Sequence, residues 1–358
     1  MPKSSFKWKD LLLLEQVFNR NEAHNNWQFN YCIIRNTHNE IVLATYYTIC
    51  LIKDDALAPS EVSIEIEEER KHNPYYLSSK TIMLGCPLSI GSHIYLNLTK
   101  DWKKAFELFL SHIEIQKDIH NINVIQLRDF NWYDKYLEDI IPQYGFVKTD
   151  MPSSYELRLK GEYLNELKSS QRYYVKKRAQ KKEHLFQVLT ATKEVNIEEL
   201  YQLYLNVAKR SYELNLFTYP KSLFEFAVHS DNWEIITLRL NGSREVVAMA
   251  VCNFSKHTYN FLLAGLNYDY VNDYDTYNQL LYQIVNRSIK KQCKKVQFGL
   301  TTAHNKRKFG AEETALHAYI QINDTFNMNF ISQIGLTENQ SKKVKAIRTV
   351  KTLNVCER

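Results

Sequence analysis

The chain has 358 residues, of which 44% are hydrophobic and 24% charged, and its formal net charge is +6. This length and composition predict a globular protein of one large or two smaller domains, and they argue against a disordered or low-complexity chain. The charge is mild, so anionic partners such as phosphates, a nucleotide cofactor, RNA or lipid headgroups are compatible with it without being required.

In the first half, alternating and helical patterns predict a mixed α/β unit. The predicted elements are a helix over 6–20, strands over 29–36 and 40–52, a helix over 101–117, a strand over 124–127, a short helix over 132–141 and a strand over 154–159. The acidic run 54–69 is interpreted as a solvated face. Gly85 and Gly91 lie among apolar residues, where we expect a tight turn or a close backbone approach.

The second half opens on a predicted basic helix over 161–184. From Lys168 to Lys182 it carries seven basic residues and no acidic one. Arg172 and Lys176 are four residues apart and therefore share one helix face. A solvated basic helix and a binding surface for a phosphate-bearing ligand both remain open.

The remaining pattern predicts alternating strands and helices up to a closing strand–turn–strand unit at 295–322. The predicted elements are strands over 186–190, 233–240, 245–254, 258–266 and 296–300, helices over 196–210, 222–228 and 276–291, a Tyr-rich loop over 268–275 and a basic loop containing Lys306, Arg307 and Lys308. Residues 336–358 form a basic tail that we expect to be loosely ordered or a short helix.

Cysteine spacing and hydropathy bear on the compartment. The six cysteines are scattered and include no CxxC pair, so we expect neither a metal site nor a disulfide framework, but reduced thiols in a cytoplasmic protein. No apolar run reaches about 18 residues, and the first 20 residues resemble an amphipathic helix rather than a signal peptide. The 24 Tyr and 17 Phe residues fit either an aromatic core or an aromatic-walled pocket.

The two halves repeat one order of elements. A strand pair, a helix, a buried strand, a Gly-containing turn and an alternating strand occur in both, which suggests tandem duplication of a unit of roughly 150 residues. We predict modules over residues 1–160 and 161–335, followed by the tail 336–358. The predicted fold class is α/β, with an α+β mixed sheet in each module flanked by helices.

The second half resembles the GNAT acyltransferase fold, in the branch of the Fem-type peptidoglycan aminoacyltransferases, which pairs two GNAT-like modules in one chain. The matching features are the basic helix 172–182, the hairpin 233–254, the strand 262–266, the helix opening Asp275-Thr276-Tyr277-Asn278 and the closure Gly299…Lys308-Phe309-Gly310-Ala311. The resemblance covers about residues 160–325 well and the first half more loosely. One departure is that the glycine-rich phosphate loop of acetyl-CoA enzymes is absent.

The resemblance implies a donor site at the start of the helix that follows the central strand, where free N–H groups favour anions. Thr276, Tyr277 and Asn278 are the candidates there, with Arg172 and Arg178 of the basic helix beside them. Helix capping by Asp275 or Thr276 explains the same residue types equally well.

For catalysis, the resemblance implies a lysine near the closure that stabilises the transferring carbonyl. Lys308 is the candidate, with Lys306 as its substitute. Tyr277 is the candidate acid, Asp269 the candidate base and His304 an alternative base, while ordinary loop roles remain open for each. The pair Arg128-Asp129 is interpreted as an ion pair that supports the module interface.

Together these features predict an N-acyltransferase that moves an acyl group from a thioester donor, acyl-CoA or acyl carrier protein, to an amine, and a lipid-like amine stays open as the acceptor. Two alternatives stay open: a Fem-type aminoacyltransferase that uses aminoacyl-tRNA, and a non-catalytic GNAT-like module that binds RNA, a carrier protein or an anionic surface. The basic helix favours the first alternative, although no coiled-coil arm for tRNA is visible. Peripheral membrane contact also stays open.

Overall fold

A computed structural model describes residues 6–19, 22–191, 195–322 and 329. Within them, the strands form one 12-stranded mixed sheet with helices on its faces. The predicted mixed α/β fold class is therefore confirmed. The predicted basic tail lies outside the described residues.

The first half follows the predicted order, with one additional helix and two additional strands. The short helix predicted over 132–141 is formed instead by two 3₁₀ segments, Trp132–Leu137 and Ile141–Tyr144. Its elements are α1 (Trp8–Val17), β1 (Gln28–Arg35), β2 (Ile41–Lys53), α2 (Ser60–Arg70), β3 (Ser78–Leu84), β4 (Ile94–Leu96), α3 (Trp102–Ile119), β5 (Val124–Phe130) and β6 (Val147–Arg158). The acidic run predicted as a solvated face forms α2. That helix buries Val62 and Ile66, and its Glu67 pairs with Lys53 and Arg70. The prediction of a solvated face is confirmed for the exposed Glu61, Glu65, Glu68 and Glu69, whereas Glu67 is half-buried and Asp55, before the helix, is buried.

The second half has the predicted strands but more short helices. Its elements are α4 (Tyr163–Glu166), α5 (Ser169–Arg178), β7 (Phe186–Thr190), α6 (Ile197–Ala208), α7 (Ser222–His229), β8 (Trp233–Leu240), β9 (Val246–Phe254), β10 (Thr258–Leu266), α8 (Val271–Tyr274), α9 (Thr276–Lys290), β11 (Lys295–Gln297), α10 (Ala303–Lys308) and β12 (Glu312–Ile322).

Three predictions of element type were wrong in this half. The basic helix 161–184 is broken into α4, α5 and a 3₁₀ segment, Gln180–Leu185. The Tyr-rich loop forms a 3₁₀ turn followed by α8. The basic loop before Phe309 forms α10, which changes which of its lysines faces inward.

The two halves share one sheet because their last strands are interleaved. The strand order is β1-β2-β3-β5-β12-β6-β11-β10-β9-β8-β7, and β4 pairs with β2. Thus β12 lies between β5 and β6 of the first half, and β6 lies between β12 and β11 of the second. Strands from both sides of residue 160 belong to one continuous sheet, so the sheet does not mark a boundary there. The division into modules at residue 160 remains a prediction.

The N-terminal helix adds a second tie between the halves. The buried Asp10 carboxylate of α1 accepts hydrogen bonds from Trp233 Nε1 at 2.8 Å and Asn232 Nδ2 at 2.6 Å. Phe6 stacks on the Trp233 ring, with centroids 5.6 Å apart. The start of the chain therefore packs on both halves, because Trp8 and Phe18 also contact the first-half rings of Tyr31 and Trp27.

Two glycines with positive φ allow a comparison of strain with packing. Gly310 (φ +87°) follows α10, and a Cβ there would overlap the buried Leu167 side chain; Gly242 (φ +83°) has nothing within 4 Å. We expect Gly242→Ala to lower the free energy of unfolding by about 1 kcal/mol through backbone strain alone. Gly310→Ala should cost about 1–2 kcal/mol more, because Leu167 must repack. Urea unfolding of both variants measures the difference in the free energy of unfolding. Equal losses in the two variants would contradict the predicted overlap of a Cβ at position 310 with Leu167.

Candidate active site

A cavity of about 580 Å³ lies where the two halves meet. Its volume is in the range of small-molecule sites. The first half contributes Pro87–Ile90 and Arg128, and the second contributes residues from α5, α6, β10, α9 and the β11–α10 connection. The wall is largely apolar and aromatic. The lining includes Leu88, Ile90, Leu216, Phe217, Tyr219, Phe261, Leu263, Phe298 and Leu300.

The cavity exists because two neighbouring strands separate. β10 and β11 pair in parallel only from Thr258 to Asn260 and from Lys295 to Gln297. Beyond that point, residues 261–264 and 298–302 form walls of the cavity instead of pairing with each other. Backbone groups that leave a ladder inside a protein need other partners, and a ligand can supply them.

The wall after β11 is conformationally strained. Thr301 and Thr302 have φ of +58° and +50°, which is rare for β-branched residues. Thr302 N donates to Glu213 Oε2 at 3.0 Å, and the Thr302 side chain pairs with the Tyr277 hydroxyl. Strain of this kind persists where surrounding contacts hold it, and here it fixes the entry to α10.

The start of α9 faces the cavity through Asp275, Tyr277 and Asn278. Asp275 has φ +53° and makes no side-chain cap; its carboxylate instead pairs with Arg178 Nη1 at 3.2 Å and Lys182 Nζ at 2.7 Å. The repulsion that this carboxylate would exert on a phosphate is therefore offset by two cations. The capping explanation fails for the Asp275 side chain.

Polar side chains from three helices meet beside this terminus. Asn278 Oδ1 accepts from Asn305 Nδ2 at 2.9 Å and from the Tyr174 hydroxyl at 3.2 Å. Burial raises the pKa of the Tyr277 phenol well above its ordinary value, so that hydroxyl keeps its proton throughout the physiological range. These bonds link α5, α9 and α10 into one polar edge of the cavity.

Lys306 of α10 is a buried amine in the cavity wall. Its residue is 3% exposed, and Nζ donates to the Leu300 carbonyl at 2.5 Å and lies 5.6 Å from the Tyr155 ring centroid. Burial lowers the pKa of Lys306 to about 7, and the Glu213 carboxylate acts against that shift. Amine and ammonium forms are therefore both accessible near neutral pH.

The loop between α6 and α7 covers the cavity from the second half. Asn215 in this loop is buried and bonds to Lys53 Nζ at 3.0 Å and to Asp55 Oδ2 at 2.8 Å, both in the first half. Leu214, Leu216 and Phe217 on either side of it line the cavity. The loop is thus held in place by the other module.

Of the residues predicted for the site, Tyr277, Asn278 and Arg178 line the cavity. Lys308 does not; its Nζ lies 5.9 Å from the Tyr174 ring. Arg172 donates to the carbonyls of Leu164, Asn165 and Leu167 and so closes the α4–α5 connection. Thr276 is fully buried, and its Oγ1 donates to the Tyr270 carbonyl at 2.7 Å.

Asp269 and His304 are exposed and outside the cavity lining, so the structure does not bring them together with Tyr277. The prediction named Lys306 only as a substitute and did not include Glu213. The helical phase of α10 would have favoured Lys306, because it lies three residues after Ala303 and three before Phe309, which is fully buried. No pattern in the irregular α6–α7 loop indicates Glu213.

Comparison with known proteins agrees with this geometry. Residues 169–307 match the family model described as an acetyltransferase (GNAT) domain. The chain is similar to FemX (TM-score 0.56, 10% identity, 93% of this chain and 99% of that one) and to L-PGS from Bacillus licheniformis (0.53, 9%, 94% and 98%). It is also similar to a tandem GNAT protein from the clavulanic acid biosynthesis pathway, with a TM-score of 0.53 and 8% identity over 86% of this chain and 87% of that one.

At these identities the structural likeness establishes the fold. The predicted resemblance to the two-module, Fem-like branch of GNAT proteins is confirmed at that level. No curated protein matches the sequence. Among the described residues, no helix combines the length and apolar character needed to cross a bilayer.

The buried Lys306 amine predicts a measurable dependence of stability on pH. Its folded pKa of about 7 is below the unfolded value of roughly 10.4, so below pH 7 both states are protonated and the folded state bears the full cost of a buried charge. That cost disappears as pH rises from 7 towards 10. Lys306→Met should therefore raise the free energy of unfolding by about 1–3 kcal/mol at pH 6.5, after allowance for the unpaired Leu300 carbonyl.

The gain from Lys306→Met should shrink between pH 7 and 10 in urea unfolding experiments. Lys308→Met is the matched control, because Lys308 is partly exposed on the same helix, and it should show no such trend. A difference between wild type and Lys306→Met that stays constant with pH would show that Lys306 is not buried as an amine.

Proposed function

Because this chain carries a GNAT-superfamily transferase domain in a two-module fold, we propose that it is an N-acyltransferase that moves an acyl group from an activated donor to an amine. The observation that carries the proposal is the buried Lys306 amine in the wall of the cavity between the modules. The preferred donor is a thioester of CoA or of an acyl carrier protein.

In the proposed reaction, the neutral amine attacks the thioester carbonyl, a C–N bond forms, and the carbonyl π electrons move to oxygen. The Lys306 ammonium donates a hydrogen bond to that oxyanion in a largely apolar cavity, where such a bond is strong. The C–S bond then breaks as the carbonyl re-forms. The attacking nitrogen loses its extra proton to solvent, and the thiolate leaves, stabilised by a hydrogen bond from the Tyr277 hydroxyl.

Donor binding is proposed at the start of α9. The N–H groups there, with Arg178 and Lys182 around Asp275, suit the phosphates of an anionic donor. Asn278 and Asn305 offer further polar groups at the same edge. Because the glycine-rich loop is absent, these side chains take a larger share of the donor contacts than they would in an enzyme that has the loop.

A second candidate is aminoacyl-tRNA as the donor. The observation that favours it is the exposed side of α5 and the turn after it, where Lys176, Lys177 and Lys181 make no ion pair with any described residue. Such a surface attracts a polyanion, and its binding should weaken steeply with salt. The acyl transfer step and the role of Lys306 are the same for both donors.

Variants of Lys306 test the proposed electrophile. Lys306→Ala should lower kcat about 100- to 1000-fold, the usual loss for one oxyanion donor. Lys306→Arg keeps a charge at every pH, so it should retain part of the activity. It should also lack the decline in kcat/KM that deprotonation of Lys306 causes above pH 7 in wild type.

Lys308→Ala is the control for these assays and should stay within a few-fold of wild type. If Lys308→Ala is inactive and Lys306→Ala is not, the assignment of the electrophile is wrong. If Lys306→Arg is inactive while wild type gains activity with rising pH, Lys306 acts as a base instead.

Thermal unfolding tests the donor class. A ligand that binds only the folded protein raises Tm by mass action. CoA, a long-chain acyl-CoA or an acylated carrier protein should raise Tm, and Arg178→Met should reduce that shift because it removes one cation beside α9. A shift with tRNA alone, lost at high salt and in a Lys176→Ala/Lys177→Ala/Lys181→Ala variant, would favour the second donor. RNA binding with no turnover of any donor would favour a non-catalytic module.

A further inference from the structure

Arg128 is a cation in the cavity that the proposed reaction leaves unused. It lies in β5 of the first half and lines the cavity, and among the described lining residues from that half it is the one that carries a charge. The residue is 5% exposed. A guanidinium so deeply buried needs most of its five N–H groups paired.

The hydrogen bonds of Arg128 fall short of that need. Nη2 donates to Asp129 Oδ1 at 3.2 Å, and Nη1 lies 3.5 Å from the Cys86 carbonyl and 3.8 Å from the Met83 sulfur. The Nε group is buried and has no partner in the described structure. A guanidinium with one ionic partner and an unpaired Nε can accept a further anion.

A rigid support holds this guanidinium. Asp129 has φ +65°, and its other oxygen, Oδ2, bonds to His93 Nε2 at 2.7 Å. Burial lowers the pKa of His93, so the ring is neutral and donates its Nε2 proton to the Asp129 carboxylate. A Cβ on Gly85 would lie 2.7 Å from the His93 ring, so only glycine leaves room for it.

The electrostatics of the cavity favour an anion at this position. Apolar groups, including Leu88, Ile90 and Tyr219, line the same cavity, which strengthens a charged hydrogen bond. Asp275, the carboxylate that also lines it, is already paired with Arg178 and Lys182. The described lining residues thus include no free carboxylate, and Asp129, which is outside the lining, pairs with Nη2 of Arg128.

We propose that Arg128 binds an anionic group, a carboxylate or a phosphate, on the acceptor substrate. The acceptor is then an amine with an apolar body and an anionic end: the body packs in the aromatic cavity, the anion pairs with Arg128, and the amine is directed to the second module. Only the identification of this ligand as the acceptor rests on the proposed function; the anion site itself does not.

Direct binding tests the anion site without turnover. Hexanoate, hexyl phosphate and 6-aminohexanoate serve as probes, with hexanol and hexylamine as uncharged and cationic controls, and binding is followed by the rise in Tm and by calorimetry. The anions should bind and the controls should not. Hexanoate and hexyl phosphate separate the two kinds of anion, and the tighter of the two identifies the class.

Substitution then localises the binding. Arg128→Met should lower the affinity for the anion at least 10-fold. Arg128→Lys, which keeps the charge but loses the planar guanidinium, should lower that affinity less. Arg239→Met is the matched control, because Arg239 also has a buried Nε without a partner but lies outside the cavity lining. Equal anion binding by wild type and Arg128→Met, or no binding by wild type, would overturn the proposal.

Crystals of the wild-type protein with 6-bromohexanoate provide a test that does not depend on the stability of a variant. The carboxylate should lie within hydrogen-bond distance of the Arg128 guanidinium, with the bromine signal inside the cavity. Density elsewhere would contradict the site. If anions bind at Arg128 but no donor supports turnover, the proposed function fails and the anion site stands. If turnover is unchanged in Arg128→Met, the proposed function stands and Arg128 does not bind the acceptor.

Discussion

The pairing of β6 with β12 is the contact on which the rest of the structure depends. β6 carries the second half's β11 on its other edge, and β12 carries the first half's β5. Since backbone ladders fix strand spacing and register, the two halves cannot slide against each other without breaking these ladders. The cavity keeps its two walls in a fixed relation for that reason, and polar groups from both halves can act on one ligand.

Burial of cations in this cavity has a cost that the fold must offset. Lys306 and Arg128 are both nearly inaccessible to solvent, and each is held by few polar partners. Asp129 already offsets part of that cost for Arg128, whereas Lys306 has no ion pair with a described residue, so its charged form is unfavourable until a negative charge approaches. The ties between modules, such as Asp10 with Trp233 and Asn215 with Asp55, supply part of the rigidity that keeps these groups in place.

Regular elements could be predicted from the sequence because their burial follows a simple period. The strand β7 agrees with its prediction at both ends, and α9 agrees to within one residue, since its apolar stripe is long. The short helices α8 and α10 could not be predicted, because four to six residues make fewer than two helical turns, too few for an apolar pattern to repeat.

The same limit explains the uneven outcome for the site. Tyr277 and Asn278 lie at the start of a long amphipathic helix, so their place was predictable, whereas the choice between Lys306 and Lys308 depends on where a six-residue helix begins. The ion pair of Arg128 with Asp129 was expected and is present at 3.2 Å. That its guanidinium also faces a cavity could not be predicted, because the cavity is formed by strands from distant parts of the chain.

The interleaved strands also constrain how the chain acquires its structure during synthesis. The edge of β5 that receives β12 has no partner until about half of the chain has been added after it, and β6 waits for a shorter but still long segment before β11 and β12 pair with it. Contacts between such distant segments form slowly, and exposed strand edges pair readily with other chains. The first half, although it has its own helices and strands, therefore becomes a finished unit only when β12 of the second half has been added.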